Sequence, residues 1–152
     1  MPYFIQGILS FAAAAGFGII FNAPKKTLFY CGLVGMTGWL IYAYLENLSG
    51  DSVKASFAGA FTVAFVAHLM AKTFKMPMII FSVAGIIPLV PGGSAYNAMR
   101  HVVEKDYSVA MEYASVALII SGSIAMGLVF AEIITQLMMK IIERLKVKGV
   151  SK

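Results

Sequence analysis

The sequence predicts an all-α, polytopic membrane protein. About five transmembrane helices form a bundle, the fourth is broken by proline and glycine, and an amphipathic segment precedes the fifth. Three observations predict this class. The 152 residues are 60% hydrophobic and only 12% charged, whereas soluble domains carry roughly 25% charged residues. The mean hydropathy is +0.84, and a chain this short could not hide that much apolar surface in a water-soluble core. Finally, the apolar residues fall in five runs long enough, or nearly so, to cross a bilayer as helices of about 20 residues.

The first run, 3–22, carries no charge. Its leading residues contain no Lys or Arg and no small-residue cleavage site precedes a polar domain, so it reads as a retained helix rather than a signal peptide. The second, 28–45, is also uncharged, with Trp39, Tyr42 and Tyr44 toward one end, where amphipathic rings favour the interface. The third, 55–71, has only His68 as a titratable group, read as an interfacial or packing histidine. The fourth, 76–90, is short and ends in Pro91-Gly92-Gly93. An amphipathic segment, 95–113, leads to the fifth run, 114–139, which Glu132 interrupts, and a basic tail, 140–152, follows. Small residues recur throughout, as at Gly32, Gly35 and Gly38 or Ser121, Gly122 and Ala125. Close approach of helices in a bilayer favours such residues. The whole of 1–152 is read as one integral membrane domain.

The net charge of +5 is an orientation signal. Lys25 and Lys26, Lys72 and Lys75, and the tail together hold nine of the twelve basic residues, and five spans put all of them on one side. Lys and Arg collect in short cytoplasmic loops, so the N-terminus is expected outside and the C-terminus in the cytoplasm. No nucleic-acid partner is needed to explain the charge. A single cysteine, Cys31 in an apolar run, excludes an intrachain disulfide and a multi-cysteine metal site. No phosphate-binding loop and no nucleophile–base pair is recognisable, so neither enzyme, cofactor nor metal is expected. The ten methionines read as apolar filler.

Two features could carry chemistry. In Ile87-Pro88-Leu89-Val90-Pro91-Gly92-Gly93-Ser94-Ala95-Tyr96-Asn97 the prolines remove backbone donors and must break the helix. Transporters build substrate sites from such discontinuous helices. A helix restarting near Ser94 would aim its amides at an anionic group, so Pro88, Pro91, Gly92, Gly93, Ser94, Tyr96 and Asn97 form a candidate substrate site. An ordinary turn at the membrane surface explains the same residues. The second feature is Glu132, eight residues before Lys140 and so about 12 Å deeper along a helix. Ser121, Ala125, Glu132 and Gln136 share one narrow helix face. That face is expected to point into the bundle interior or a wet cavity, with Glu132 either an ion-coupling carboxylate or a structural one, neutral or hydrogen-bonded between helices.

Three stretches of the chain resemble the threonine/serine exporter family: Phe21-Asn22-Ala23-Pro24-Lys25-Lys26 with Gly32-Leu33-Val34-Gly35, then Ala71-Lys72 to Pro77, then Ile87-Pro88-Leu89-Val90-Pro91-Gly92-Gly93 with Tyr96. Within that family the chain is similar to the short polypeptide equivalent to the C-terminal membrane domain. The resemblance implies a subunit of a secondary transporter in the bacterial plasma membrane. It would export small hydrophilic metabolites, threonine and serine or a dicarboxylate such as succinate; proton coupling is expected from the broken helix and Glu132 rather than from the resemblance. The resemblance also implies a larger partner subunit carrying the N-terminal half. A homo-oligomer is the other assembly left open, and a non-transporting subunit that stabilises a partner complex is the alternative function. The family motif maps onto Pro88, Pro91, Gly92 and Gly93. A length of 152 residues suits five helices and is short for a complete exporter.

Overall fold

The computed structural model describes residues 2–150 of the chain, with side chains for 2–141. Among these residues the protein is helical: α1 (Tyr3–Ile20), α2 (Lys25–Ser49), α3 (Ser52–Phe74), α4 (Met78–Ile86), a 3-10 turn (Ile87–Leu89), α5 (Gly92–Val103) and α6 (Tyr107–Val150). Four helices (α1, α2, α3 and α6) are long and apolar enough to cross a membrane, and α4 with α5 makes a fifth span bent by 54°.

Helices α1, α2 and α3 form an antiparallel meander. The α1–α2 link turns at Asn22, whose φ of 54° suits a residue that tolerates the left-handed region. The α2–α3 link turns at Gly50, with φ 65° and an amide bonded to the Glu46 carbonyl at 2.8 Å. A left-handed residue of this kind closes a helix most cheaply as glycine. The next residue, Asp51, caps α3: its carboxylate accepts from the amides of Val53 at 3.0 Å and Lys54 at 3.3 Å. The Lys54 ammonium stands 3.1 Å from the same carboxylate. Hydrogen bonding by Lys54 holds the Asp51 carboxyl below the usual range.

The helices extend beyond the apolar runs. The second reaches Ser49 rather than Leu45, because Glu46 and Asn47 find hydrogen-bond partners on the helix rather than in a loop. The segment 95–113 is not one amphipathic piece. Glu104, Lys105 and Asp106 divide it, Lys105 takes a φ of 62°, and Asp106 starts α6, its backbone carbonyl accepting from Ala110 at 3.1 Å. Residues 107–113 therefore belong to the last helix, which is 44 residues long. The side chains of most of the expected basic tail, from Ile142 onward, lie outside the described residues.

Helix α6 runs parallel to α3. Ser123 donates to the Val53 carbonyl at 2.6 Å. A methyl group at Gly127 would stand 2.6 Å from the Phe57 carbonyl, and Lys72 reaches Met139 at 3.5 Å. The part of α6 before Ser123 is accompanied by α5 instead, where His101 stacks on Tyr113 with ring centres 5.6 Å apart. The core lies between α2, α3 and α4: Cys31, Val34, Val63, Ala67 and Phe81 are fully buried there. Cys31 is thus a packing residue, as expected.

Candidate functional site

The fourth span stops partway. Nine residues of α4 rise about 14 Å, less than half of a hydrocarbon core of about 30 Å. The chain then tightens into the 3-10 turn. Leu89, at its end, is held where Gly38 of α2 and Gly59 of α3 leave room for it. Gly38 is the fourteenth of the 25 residues of α2, so the break lies near mid-depth of the bundle rather than at the surface.

Backbone hydrogen bonds at the break are local. Val90 donates to Ile87 at 3.3 Å, and Gly92 donates to Val90 at 2.7 Å across Pro91. With φ −75° and ψ 56°, Pro91 centres an inverse γ-turn. Helix α5 then starts at Gly92, two residues earlier than expected, with no side-chain cap. A methyl group placed at Gly92 or Gly93 would meet nothing within 4 Å. Neither glycine is demanded by crowding, and neither has a positive φ. What they do is leave the first amides of α5 uncovered, at the end of the helix that attracts anions. Ser94 and Asn97 are half-buried beside this start, and Tyr96 is exposed.

One wall of a cavity of about 630 Å³ is Pro88. Gln6 and Ser10 of α1 line it, with Trp39, Glu46 and Asn47 of α2. Of the residues of the proline–glycine motif, Pro88 is the one that lines this space. The polar groups are preorganised. The Trp39 indole donates to Gln6 Oε1 at 3.2 Å. Tyr42 and Ser52 both donate to Glu46 Oε1, at 2.8 and 2.7 Å. Asn47 donates to the Tyr3 hydroxyl at 2.9 Å. Fixed donors and acceptors around a cavity of mixed polar and apolar lining are the usual makings of a small-molecule site.

Sequence reasoning missed this cluster. Trp39 reads as a belt residue and Glu46 as a loop charge when only hydropathy is followed. The available signal was Gln6, a polar side chain inside an otherwise apolar run.

Glu132 does not face the bundle interior; it is exposed, and so are Ser121, Ala125 and Gln136 on the same face. The face of α6 that packs against the bundle carries Ile120, Ile124, Ala131 and Thr135 instead. These residues, with Gly127, pack against α3, and Glu132 is turned well away from them. Its carboxylate accepts from Gln136 at 3.2 Å. By the pairings with α3, Glu132 lies between the depth of Ala60 and that of Lys72, well inside the span. Exposing such a group to hydrocarbon costs at least about 2.5 kcal/mol. His68 keeps a buried Nδ1 with no hydrogen-bond partner among the described residues. No group of three or more potential metal ligands occurs among them.

A family profile described as "Threonine/Serine exporter, ThrE" matches residues 6–134. The chain belongs to this family. A Corynebacterium glutamicum threonine/serine exporter is 30% identical over 129 residues, 85% of this chain and 26% of that protein. An uncharacterized Haemophilus influenzae protein is 35% identical over 92 residues, 60% of this chain and 31% of that one. The chain thus spans about a third or less of the length of these relatives. No solved structure registers as a match. Family and fold together make this exporter-family chain a multi-pass membrane protein.

Proposed function

We propose that the chain is one subunit of a secondary exporter in the bacterial plasma membrane, with its N-terminus outside and its C-terminus in the cytoplasm. A larger chain supplies the remainder of the transporter, since the C. glutamicum exporter is about four times the length matched here. The observation that carries this reading is the broken fourth span: it ends near mid-depth, with Pro88 forming a wall of a polar-lined cavity.

The substrate class follows from the charges. Helix α5 offers uncapped amides to a carboxylate, and Glu46 offers a carboxylate on the cavity side. Substrate contacts would come from Pro88, Pro91, Gly92, Gly93, Ser94, Tyr96 and Asn97 at the break, together with Gln6, Trp39 and Glu46. A threonine or serine zwitterion carries a carboxylate suited to the first group and an ammonium suited to the second. A dicarboxylate such as succinate would place like charge against Glu46, at a cost. Export is coupled to protons, and Glu46 is better placed than Glu132 to carry that role, because Glu132 points away from the bundle.

The test is efflux of labelled threonine, serine and succinate from cells holding the chain with its partner, with and without Glu46→Gln. Threonine and serine efflux that needs both chains and falls in the variant is expected. Efflux of succinate alone would reverse the substrate assignment. Unchanged efflux of all three on deleting the chain, with loss of partner abundance, would make it a stabilising subunit instead.

A further inference from the structure

The outward surface of α6 is of two kinds. One side carries large apolar residues, Ile119, Met126, Phe130, Ile133 and Leu137, all 46–56% exposed. Such a face suits lipid. The other side carries Leu118, Gly122, Ala125, Val129, Glu132 and Gln136, every one exposed. These six are spaced four, three, four, three and four residues apart. They lie within about 80° of one another on a helix of 3.6 residues per turn.

That alternation is the spacing of a helix that packs lengthwise against another helix. Small residues at its centre let backbones approach closely, and a methyl group at Gly122 would meet nothing within 4 Å. The other glycines along the bundle seams, such as Gly38, Gly59 and Gly127, are already filled by a neighbour. The seam also contains Glu132, the one carboxylate of α6 at membrane depth among the described residues, held outward with Gln136. An ionisable group there needs a partner with donors to give.

We infer that this face of α6 is the docking seam for a transmembrane helix of the larger partner chain, which sets a hydrogen-bond donor or basic side chain against Glu132 and Gln136. The inference rests on the two-chain reading proposed above. Two observations favour that occupant over a second copy of this chain. The relatives carry roughly two thirds or more of their length outside the part matched here, which is chain enough to supply a covering helix. A second copy packed symmetrically on this face would set Glu132 beside its own counterpart, like charge against like.

The experiment uses the full chain co-expressed with the larger partner chain of the two-chain reading. A photo-crosslinking residue is placed at Leu118 or Val129 on the seam, and at Met126 or Ile133 on the lipid side. Irradiation is expected to join the two chains from the first pair of positions and not from the second. In parallel, Gly122→Leu and Glu132→Leu are expected to lower recovery of the partner with the chain about tenfold, while each variant still elutes as a folded protein in detergent. Glu132→Gln, which keeps hydrogen bonding, is expected to retain most of the partner. Crosslinks between two copies of this chain, or equal crosslinking from both faces, would overturn the inference. So would undiminished recovery of the partner by both Leu variants. If the unaltered chain never recovers the partner, the two-chain reading itself fails and the seam assignment with it. If it does and the variants do too, only the seam assignment fails.

Discussion

The glycines of this chain divide into two populations. Around the end of α4 every one is pressed: Gly35 meets Ala14, Gly38 meets Val63, Gly59 meets Leu89, and Gly85 meets Val34. At the start of α5 and on the outer side of α6 they are open: Gly92, Gly93 and Gly122 have nothing near them. The same residue type therefore does opposite things. In the first region it removes side-chain volume so that helices can meet without water or lipid between them. In the second it keeps backbone accessible to something other than this bundle. Abundance of small residues in the sequence announces both and distinguishes neither.

The sharpest way to break that division is to add volume in the filled region. Gly38→Val and Gly127→Val should be the most damaging changes, because the added atoms meet Val63 in one case and the Phe57 backbone carbonyl in the other. A backbone atom cannot turn aside as a side chain can. Overpacking of this kind costs about 1–3 kcal/mol or more, and the expected result is a large loss of folded, monodisperse protein on size-exclusion chromatography.

Next comes the cavity. Glu46→Leu leaves the Tyr42 and Ser52 hydroxyls without their acceptor and should destabilise by about 1–3 kcal/mol. Glu46→Gln keeps an acceptor oxygen and should lower the thermal midpoint far less while still reducing efflux. Equal thermal shifts for the two would remove Glu46 from the polar network.

In the open region the sign should reverse. Gly92→Ala fits the space and gains helix propensity, worth up to about 1 kcal/mol. The thermal midpoint should therefore hold or rise slightly, while efflux falls if the amides of that turn receive substrate. A drop in stability would show that the region is as crowded as the first.

The smallest effect is expected at the Asp51 cap, outside the spans. Its carboxyl is held below the usual range in the folded protein, chiefly by Lys54. A lowered folded pKa means that the stabilisation is complete above the unfolded carboxylate pKa and is lost as pH falls through the folded one. Hydrogen-exchange protection of the first turn of α3 should therefore weaken under acid conditions, and Asp51→Asn should blunt that response.

Much of the architecture was legible without coordinates. The apolar runs locate the helices because lipid leaves the backbone no other way to satisfy its hydrogen bonds, and Pro88 and Pro91 place the break for the same reason that proline disrupts any helix. The helix ends were less legible. Glu46 and Asn47 stop a hydropathy run but not a helix, since their side chains find Tyr42, Ser52 and the Ala43 carbonyl. Glu132 shows a deeper limit. Periodicity groups it correctly with Ser121, Ala125 and Gln136, yet a single chain contains nothing that says whether a polar face turns toward its own bundle or toward another protein. The cavity was hidden for a related reason: Gln6 and Trp39 are 33 residues apart and meet only because α1 and α2 pack antiparallel.

The short fourth helix has a consequence for how the molecule comes together. A segment that ends near the middle of a bilayer exposes carbonyls and a 3-10 turn that lipid cannot satisfy. It can rest at that depth only once α2 and α3 are side by side, with Leu89 seated between Gly38 and Gly59. Seating of the fourth helix therefore depends on the receptacle that α2 and α3 form between them.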